Sequence, residues 1–476
     1  MASKKKHVAV IGGGLIGCAA ARELSKYDVN VSLIEKESEV ALGVSRASSS
    51  IVHPGFRYWK PGTLRAQAVR EGLVEIEKLS LELEFPFSTV GEIVVAWDES
   101  GIEKIKTLKQ QGETNGLTDL TIIGPDELRE LEPNVTEEAV AALYSPTAAV
   151  SSSFECTIAM AESAELNGAD IHCNTTVLEI MKEKDSFIIC TDKGEIKADF
   201  VINAAGLYVD EIAKMAGSRL PLAPERGQEF IFDKNIGSIV KHMVFPAKGS
   251  FVIPTVHGNV MMGTTKEVPE DLRDTQVTAA AWKKVFNSAQ TLIPSIRPES
   301  IIRGFAGIRP QPEAGDIVIA DDVPGFISAC SGSPGIQTSV VMAGWIRDRL
   351  EKQGLVLKKR VDFVPERKKI RSFAAMTDKE REAAVNEDPL YGHVICRCET
   401  VTEAEILEAI KRGARTLDGV KYRTRAGMGR CQGGFCGPRI ARILSEQLGI
   451  PMEKVQKNVS GTFYVVKKAK ELILEA

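Results

Sequence analysis

The segment that most constrains this chain is HVAVIGGGLIGCAAARELSKYDVNVSLIEK, residues 7–36. An apolar run, His7–Ile11, stops at Gly12, Gly13 and Gly14; Leu15–Lys26 then carries Ala and Leu at helical spacing, and Val29–Glu35 is a second apolar run. Strand, tight turn, helix and strand in so short a space make a βαβ unit that begins a parallel sheet. Within it Gly12, Gly14 and Gly17 form G-x-G-x-x-G. The first glycine permits the tight turn, the second lets the backbone approach a pyrophosphate, and the third lets helix and strand pack closely. The helix start offers free N–H groups and a positive dipole end. Glu35 ends the second strand, where it can accept hydrogen bonds from ribose hydroxyls. The motif predicts a dinucleotide cofactor and does not choose between FAD and NAD. Lys4, Lys5 and Lys6 ahead of the apolar run imitate a secretion signal, but the glycines fit the nucleotide turn better. The chain is therefore expected to be cytoplasmic, where thiols stay reduced.

Two later segments rejoin the same layer. ADFVINAAGLYVDEIAKMAG (198–217) is a strand running into Gly206 and then a helix, and PGFISACSGSPGIQTSVVMAGWIRDRL (324–350) is a strand, a turn and an amphipathic helix. Stretches at about 86–149 and 221–315 alternate apolar and polar residues between turn signals, which predicts an antiparallel domain inserted into the nucleotide domain. That leaves nucleotide-binding parts at about 1–85, 150–220 and 316–355, a charged linker at 356–390, a compact unit at 391–455 and a tail at 456–476. In the compact unit Thr402 and Glu405 form a capping box, Gly413 ends that helix, and Pro438 opens another that Gly449 stops. The net charge of −4 gives no reason to expect nucleic acid, yet from Glu351 onward 25 Lys+Arg stand against 17 Asp+Glu. Lys421, Arg423, Arg425 and Arg430 are the expected docking face for a partner.

Four of the nine cysteines gather late, Cys396 and Cys398 as C-R-C, then Cys431 and Cys436 in C-Q-G-G-F-C. The other five are scattered among apolar residues and read as packing. Four thiolates from two short loops can hold a [2Fe–2S] cluster or a structural zinc. The C-x-C spacing and Gly427, Gly429, Gly433 and Gly434 favour the cluster, whose sulfurs need backbone N–H groups close by.

ICRCETVTEAEI with RTRAGMGRCQGGFCGPRI resembles the bacterioferritin-associated-ferredoxin (BFD-like) type of [2Fe–2S] domain. It is especially similar to the version fused to the large subunit of anaerobic glycerol-3-phosphate dehydrogenases, which shares the C-x4-C pair. The first 350 residues resemble the FAD-dependent family of glycerol-3-phosphate dehydrogenases, D-amino-acid oxidase and L-2-hydroxyglutarate dehydrogenase. RASSSIVHPGFRY (46–58) resembles the segment lining flavin and substrate, and FVIPTVHGNVMMGTT (251–265) a flavin-side strand pair. FAGIRPQP (305–312) with SGSPGIQTS (331–339) resembles the substrate arginine and the closing flavin loop. The resemblance implies an α/β fold: a Rossmann-like FAD-binding domain with an inserted antiparallel substrate domain, plus a small helical C-terminal [2Fe–2S] domain.

It implies FAD contacts from Gly12, Gly14, Leu15, Ile16, Gly17, Glu35, Lys36, Ser48, Ser49, Ser50, Val177, Ala205, Gly206, Gly307, Gly335, Ile336, Gln337 and Thr338, and cluster ligation by Cys396, Cys398, Cys431 and Cys436. It also implies Arg309, with Arg57 and Tyr58, for a substrate anion and His53 for the hydroxyl proton; His257 and Lys266 are alternatives. The implied reaction is oxidation of a small anionic secondary alcohol, sn-glycerol 3-phosphate ahead of L-2-hydroxyglutarate. Electrons would leave through FAD and the cluster to a partner flavoprotein or a membrane-linked acceptor, with the chain itself peripheral at the inner membrane. The rival from another class is an electron-transfer subunit with no substrate of its own.

Overall fold

The structure, a computed structural model, describes residues 5–57, 60–467 and 470. The apolar run His7–Ile11 lies in the middle of a six-stranded sheet, parallel to Asn30–Ile34 on one side and to Phe200–Asn203 on the other. The order runs Val318–Val323, Phe326–Cys330, Phe200–Asn203, His7–Ile11, Asn30–Ile34, Asp170–His172, and only the outermost strand, Val318–Val323, is antiparallel to its neighbour. A central strand covered on both faces must be apolar throughout, and Val8, Ala9, Val10 and Ile11 are all buried. The helices Leu15–Ser25, Ser153–Leu166 and Ile336–Lys352 pack on one face of this sheet through Leu24, Met160 and Ile346.

A second, eight-stranded sheet gathers strands from 92–145 and 225–309; it is antiparallel except where Met243–Pro246 runs parallel to Glu92–Ala96. Helix Ala279–Leu292 covers it through Val285, Ala289 and Leu292. A three-stranded meander, Val177–Lys182, Phe187–Thr191 and Gly194–Ala198, projects from the nucleotide-binding half, an element the sequence pattern did not disclose. Among the described residues no helix is long and apolar enough to cross a membrane.

The segment read as a linker is a docked strap. Lys358 accepts from the N–H of Asp28 (2.8 Å), Arg360 donates its N–H to Lys26 (2.9 Å), and Asn167 bonds the backbone of Val364 both ways at 2.8 and 2.9 Å. It ends in helix Asp378–Glu387, opened by a Thr377/Glu380 capping box. The last unit is a hairpin, Val394–Cys396 with Val401–Thr402, and helices Glu403–Lys411, Leu417–Thr424 and Gly437–Leu448. Thr402 and Glu405 form the expected capping box, and Gly449 closes the last helix at φ +62°. Part of the stretch read as a tail folds back on this unit: Asp418 and Leu417 donate backbone N–H bonds to Lys457 and Gln456.

This unit is fastened to both sheets. Glu39, buried in the nucleotide-binding half, accepts from the Arg423 guanidinium, from the Arg415 N–H (3.0 Å) and from the Thr416 hydroxyl (3.1 Å). Glu399 joins Lys234 of the second sheet to Arg425, each at 2.9 Å. The expected docking face is thereby corrected. Lys421 and the side chain of Arg423 are buried; Arg423 and Arg430 pair with Glu39 and Asp233 of the rest of the chain, while Arg425 and Lys421 pair with Glu399 and Asp418 inside the unit.

Candidate active site and cluster site

The turn after the first strand makes two approaches that only glycine allows. A Cβ at Gly12, where φ is +107°, would stand 2.4 Å from the Ala204 carbonyl oxygen, and one at Gly17 would stand 1.9 Å from that of Gly12. Glu35 accepts from the Gly13 N–H at 2.6 Å and the Glu37 N–H at 2.8 Å, and burial pushes its carboxyl up. The groove beginning here runs past Lys36, residues 43–45, 47–49 and 204–208 to Glu229, Arg309, residues 329–333 and Gly335. It joins an adenosine-type end at Glu35 to a second end at the start of helix Ile336–Lys352, whose N-cap Gly335 provides no side-chain cap. A groove with a backbone cradle at one end and a helix N-terminus at the other fits an extended dinucleotide.

Of the expected cofactor residues, Gly12, Gly14, Leu15, Ile16, Glu35, Lys36, Ser48, Ser49, Ala205, Gly206 and Gly335 line this groove. Gly17 packs behind the turn, and Gly307 backs the wall, where a Cβ would meet the Ala47 carbonyl oxygen at 2.6 Å. Ser50 faces a neighbouring cavity. Val177, Ile336, Gln337 and Thr338 line neither; Gln337 is fully buried and clamps the backbone of His53 through bonds of 2.8 and 2.7 Å.

Arg309 ends the strand Ile301–Arg309 and reaches the groove with its fork already oriented. Nη1 donates to Glu225 Oε1 at 2.8 Å and Nη2 to Thr264 Oγ1 at 2.9 Å, and Glu229 Oε1 lies 3.7 Å from Nη2. Glu225, Gly227 and Glu229 alternate along one strand and so share a face. Gly227 leaves the slot for the guanidinium, since a Cβ there would stand 2.4 Å from Nη2. Glu229 is the site residue that sequence reasoning missed; its signal was an acid two residues beyond that glycine, immediately before the apolar run Phe230–Phe232. It is buried, it lines the groove, and burial pushes its carboxyl up to about 7 against the pull of Arg309 and Thr264.

His53 and Arg57 are placed elsewhere. Arg57 is buried, its guanidinium bonded to Glu92 and lying 4.0 Å from the centroid of the Phe245 ring. His53 Nδ1 is 3.8 Å from the other oxygen of Glu92. Burial pushes the Glu92 carboxyl up, but Arg57 and His53 outweigh it and hold the group below the ordinary range. Neither residue lines the groove, because the fully buried carboxylate draws both toward the second sheet. Tyr58 lies outside the described residues. His257 pairs with Glu155 at 2.6 Å, and Lys266 lies 3.8 Å from Glu225.

The four late cysteines fall into two pairs. Cys396 and Cys436 are buried and hydrogen-bonded, while Cys398 and Cys431 are exposed with sulfurs 3.8 Å apart. The bond from Cys436, with N–H groups of Gly427 and Glu399, lowers Cys396 to about 6 despite burial. Backbone N–H groups of Phe435 and Gly433 lower Cys431 in the same way. Gly427 and Gly433 reach these positions with φ of +91° and +85°, and a Cβ on Gly429 would stand 2.3 Å from Cys398 Cβ. Two thiol pairs, each within a cradle of N–H donors, suit a two-iron cluster better than one tetrahedral ion.

Comparison with known proteins gives the family of both domains. Residues 7–349 match the family model for FAD dependent oxidoreductases, and residues 394–446 match that for BFD-like [2Fe-2S] binding domains. The chain is 37% identical to a glycerol 3-phosphate dehydrogenase of Caloramator mitchellensis over 97% of its own length and 98% of the relative's. It is 24% identical to an anaerobic glycerol-3-phosphate dehydrogenase subunit from Escherichia coli (strain K12), over 93% of this chain and 88% of that one. The fold superposes on the FAD-bound, dithionite-reduced L-alpha-glycerophosphate oxidase of Mycoplasma pneumoniae with a TM-score of 0.71 at 28% identity, covering 76% of this chain and 98% of that chain.

Proposed function

The chain belongs to the FAD dependent oxidoreductase family and is an FAD-dependent enzyme of the glycerol-3-phosphate dehydrogenase type with a [2Fe–2S] domain, and from that premise we propose that it oxidises sn-glycerol 3-phosphate to dihydroxyacetone phosphate. With Cys396, Cys398, Cys431 and Cys436 holding a cluster, the chain would pass electrons on to a partner flavoprotein or a membrane-linked acceptor. The observation that carries the reading is the meeting of Arg309 and Glu229 at one end of the groove whose other end is the glycine cradle. Bound FAD supplies a two-electron acceptor and the cluster a one-electron relay. Arg309, pre-set by Glu225 and Thr264, holds the anionic end of the substrate with a rigid planar fork. Glu229 takes the hydroxyl proton at its carboxylate; a base with a pKa near the working pH is the effective one.

One observation favours a second reading, a 2-hydroxy acid of the L-2-hydroxyglutarate kind. Arg57 is committed to Glu92, so the second guanidinium that a phosphate dianion rewards does not line the groove. The test is anaerobic bleaching of the flavin by each compound. Faster bleaching by glycerol 3-phosphate upholds the proposal; faster bleaching by hydroxyglutarate replaces it with the second reading.

A further inference from the structure

A second cavity, of about 390 Å³, lies where three units meet. Ala47, Ser48 and Ser49 line both this cavity and the cofactor groove, so that loop is a wall the two share. The charges around it are one-sided. Arg46 comes from the nucleotide-binding half, Arg303 from the second sheet, and Lys421, Arg425 and Lys457 from the cluster unit, against the single carboxylate Asp418. Asp418 is already shared by Lys457 and Lys421, and Arg425 is paired to Glu399. Among the described residues Arg46 and Arg303 enter no ion pair; Arg303 donates only to the neutral Gln432 side chain at 2.9 Å. Lys421 is buried, and burial together with Arg303, Lys457 and Arg46 opposes its charge and lowers it to about 7.

Cations from three separately folded pieces facing one space repel across the very junction at which the cluster unit docks. A bound anion converts that repulsion into a latch. The uncharged wall is mixed: Phe154 and Tyr422, with ring centroids 5.0 Å apart, form an apolar patch with Met261, Phe305 and Met428, and serines, Asn259 and Asn458 line the rest with polar groups. We propose that this cavity is a second anion site, distinct from the Arg309 end of the groove, for an organic phosphate with an apolar or ring portion of up to mononucleotide size. Bound there, it clamps the cluster unit against the flavin-binding half. The proposal does not depend on which substrate the groove takes. Two sources share the ligand chemistry, a nucleotide and the enzyme's own phosphorylated substrate class.

The test uses the full-length protein with FAD and cluster in place, titrated calorimetrically with inorganic phosphate, AMP and glycerol 3-phosphate. An Arg309→Gln background removes the anion-holding fork of the groove, so glycerol 3-phosphate binding is measured apart from turnover. The expected result is that binding survives Arg309→Gln and weakens on the order of tenfold or more in Arg303→Gln and in Lys457→Gln, the loss typical of one charge-assisted contact. Arg303→Lys should recover part of the loss. In the wild-type background these variants should keep their flavin and iron content and their dye-linked turnover. AMP binding more tightly than glycerol 3-phosphate assigns the site to a nucleotide, and the reverse order assigns it to the substrate class; both uphold an anion site. Absence of binding at millimolar ligand, or binding lost in Arg309→Gln and unchanged in Arg303→Gln, overturns the proposal.

Discussion

Glu229→Gln is the sharpest test of the chemistry assigned to the groove. Burial moves this carboxyl from an ordinary 4.5 to about 7. If the ionised form takes the hydroxyl proton, the competent fraction is about a tenth at pH 6 and about nine-tenths at pH 8, so kcat/KM rises roughly tenfold over that interval. A base left at 4.5 would give a flat profile there. The amide cannot take the proton, so the variant loses the rising limb and about 10²–10⁴ of the rate at pH 8. Stability moves with the same titration. Below the ordinary value both folded and unfolded chains hold the proton; between there and 7 only the folded chain does. The wild type therefore loses about 3 kcal/mol as pH rises through this window, and the glutamine variant does not. The measurements are dye-linked initial rates and thermal unfolding of both proteins from pH 5.5 to 8.5. A wild-type rate that is level from pH 6 to 8, or a variant that retains the limb, would show that the proton goes elsewhere, with His53 the next group to test.

Arg57→Ala should act on folding, since it takes the guanidinium from the fully buried Glu92 and leaves its charge to His53 beside it; the expected cost is about 3 kcal/mol, read by denaturant unfolding and relieved in the Arg57→Ala/Glu92→Gln pair. Gly17→Ala sets a methyl against the Gly12 carbonyl, and the purified protein should lack FAD by absorbance while retaining cluster iron. Cys431→Ser should lose iron and acid-labile sulfide but keep FAD, because the glycine turn shares no ligand with the cluster loops; one equivalent of zinc and no sulfide in the wild type would refute the cluster. Gly419→Ala drives a methyl into the Glu39 carboxylate, and limited proteolysis should then cut the 356–377 strap faster than in the wild type.

Several features were legible in the one-dimensional pattern because their physics is local. The glycine turn, Glu35, the Thr402/Glu405 capping box, the Gly449 stop and the four clustered cysteines each depend on neighbours within a few tens of residues. Backbone sterics and capping speak through such short spacings. Other features were hidden because their partners are distant in the chain. The charge run at 356–390 looked like a solvated linker until Asn167, Glu82 and Glu162 supplied its contacts. The basic residues of the cluster unit looked like a partner's landing face, yet Glu39 and Glu399 draw Arg423 and Arg425 inward, and Asp233 pairs the exposed Arg430.

The same division governs the groove. That this chain binds a dinucleotide and presents four thiols follows from residue type and spacing alone. Which arginine meets the substrate depends on burial, and burial is a property of the packed fold. Arg57 and Arg309 are equal as letters, but one faces a carboxylate sealed under the second sheet, where an unpaired charge is costly, and the other faces the open groove. The acidity of Glu229 is likewise decided by removal from water, which no neighbouring residue in the sequence announces.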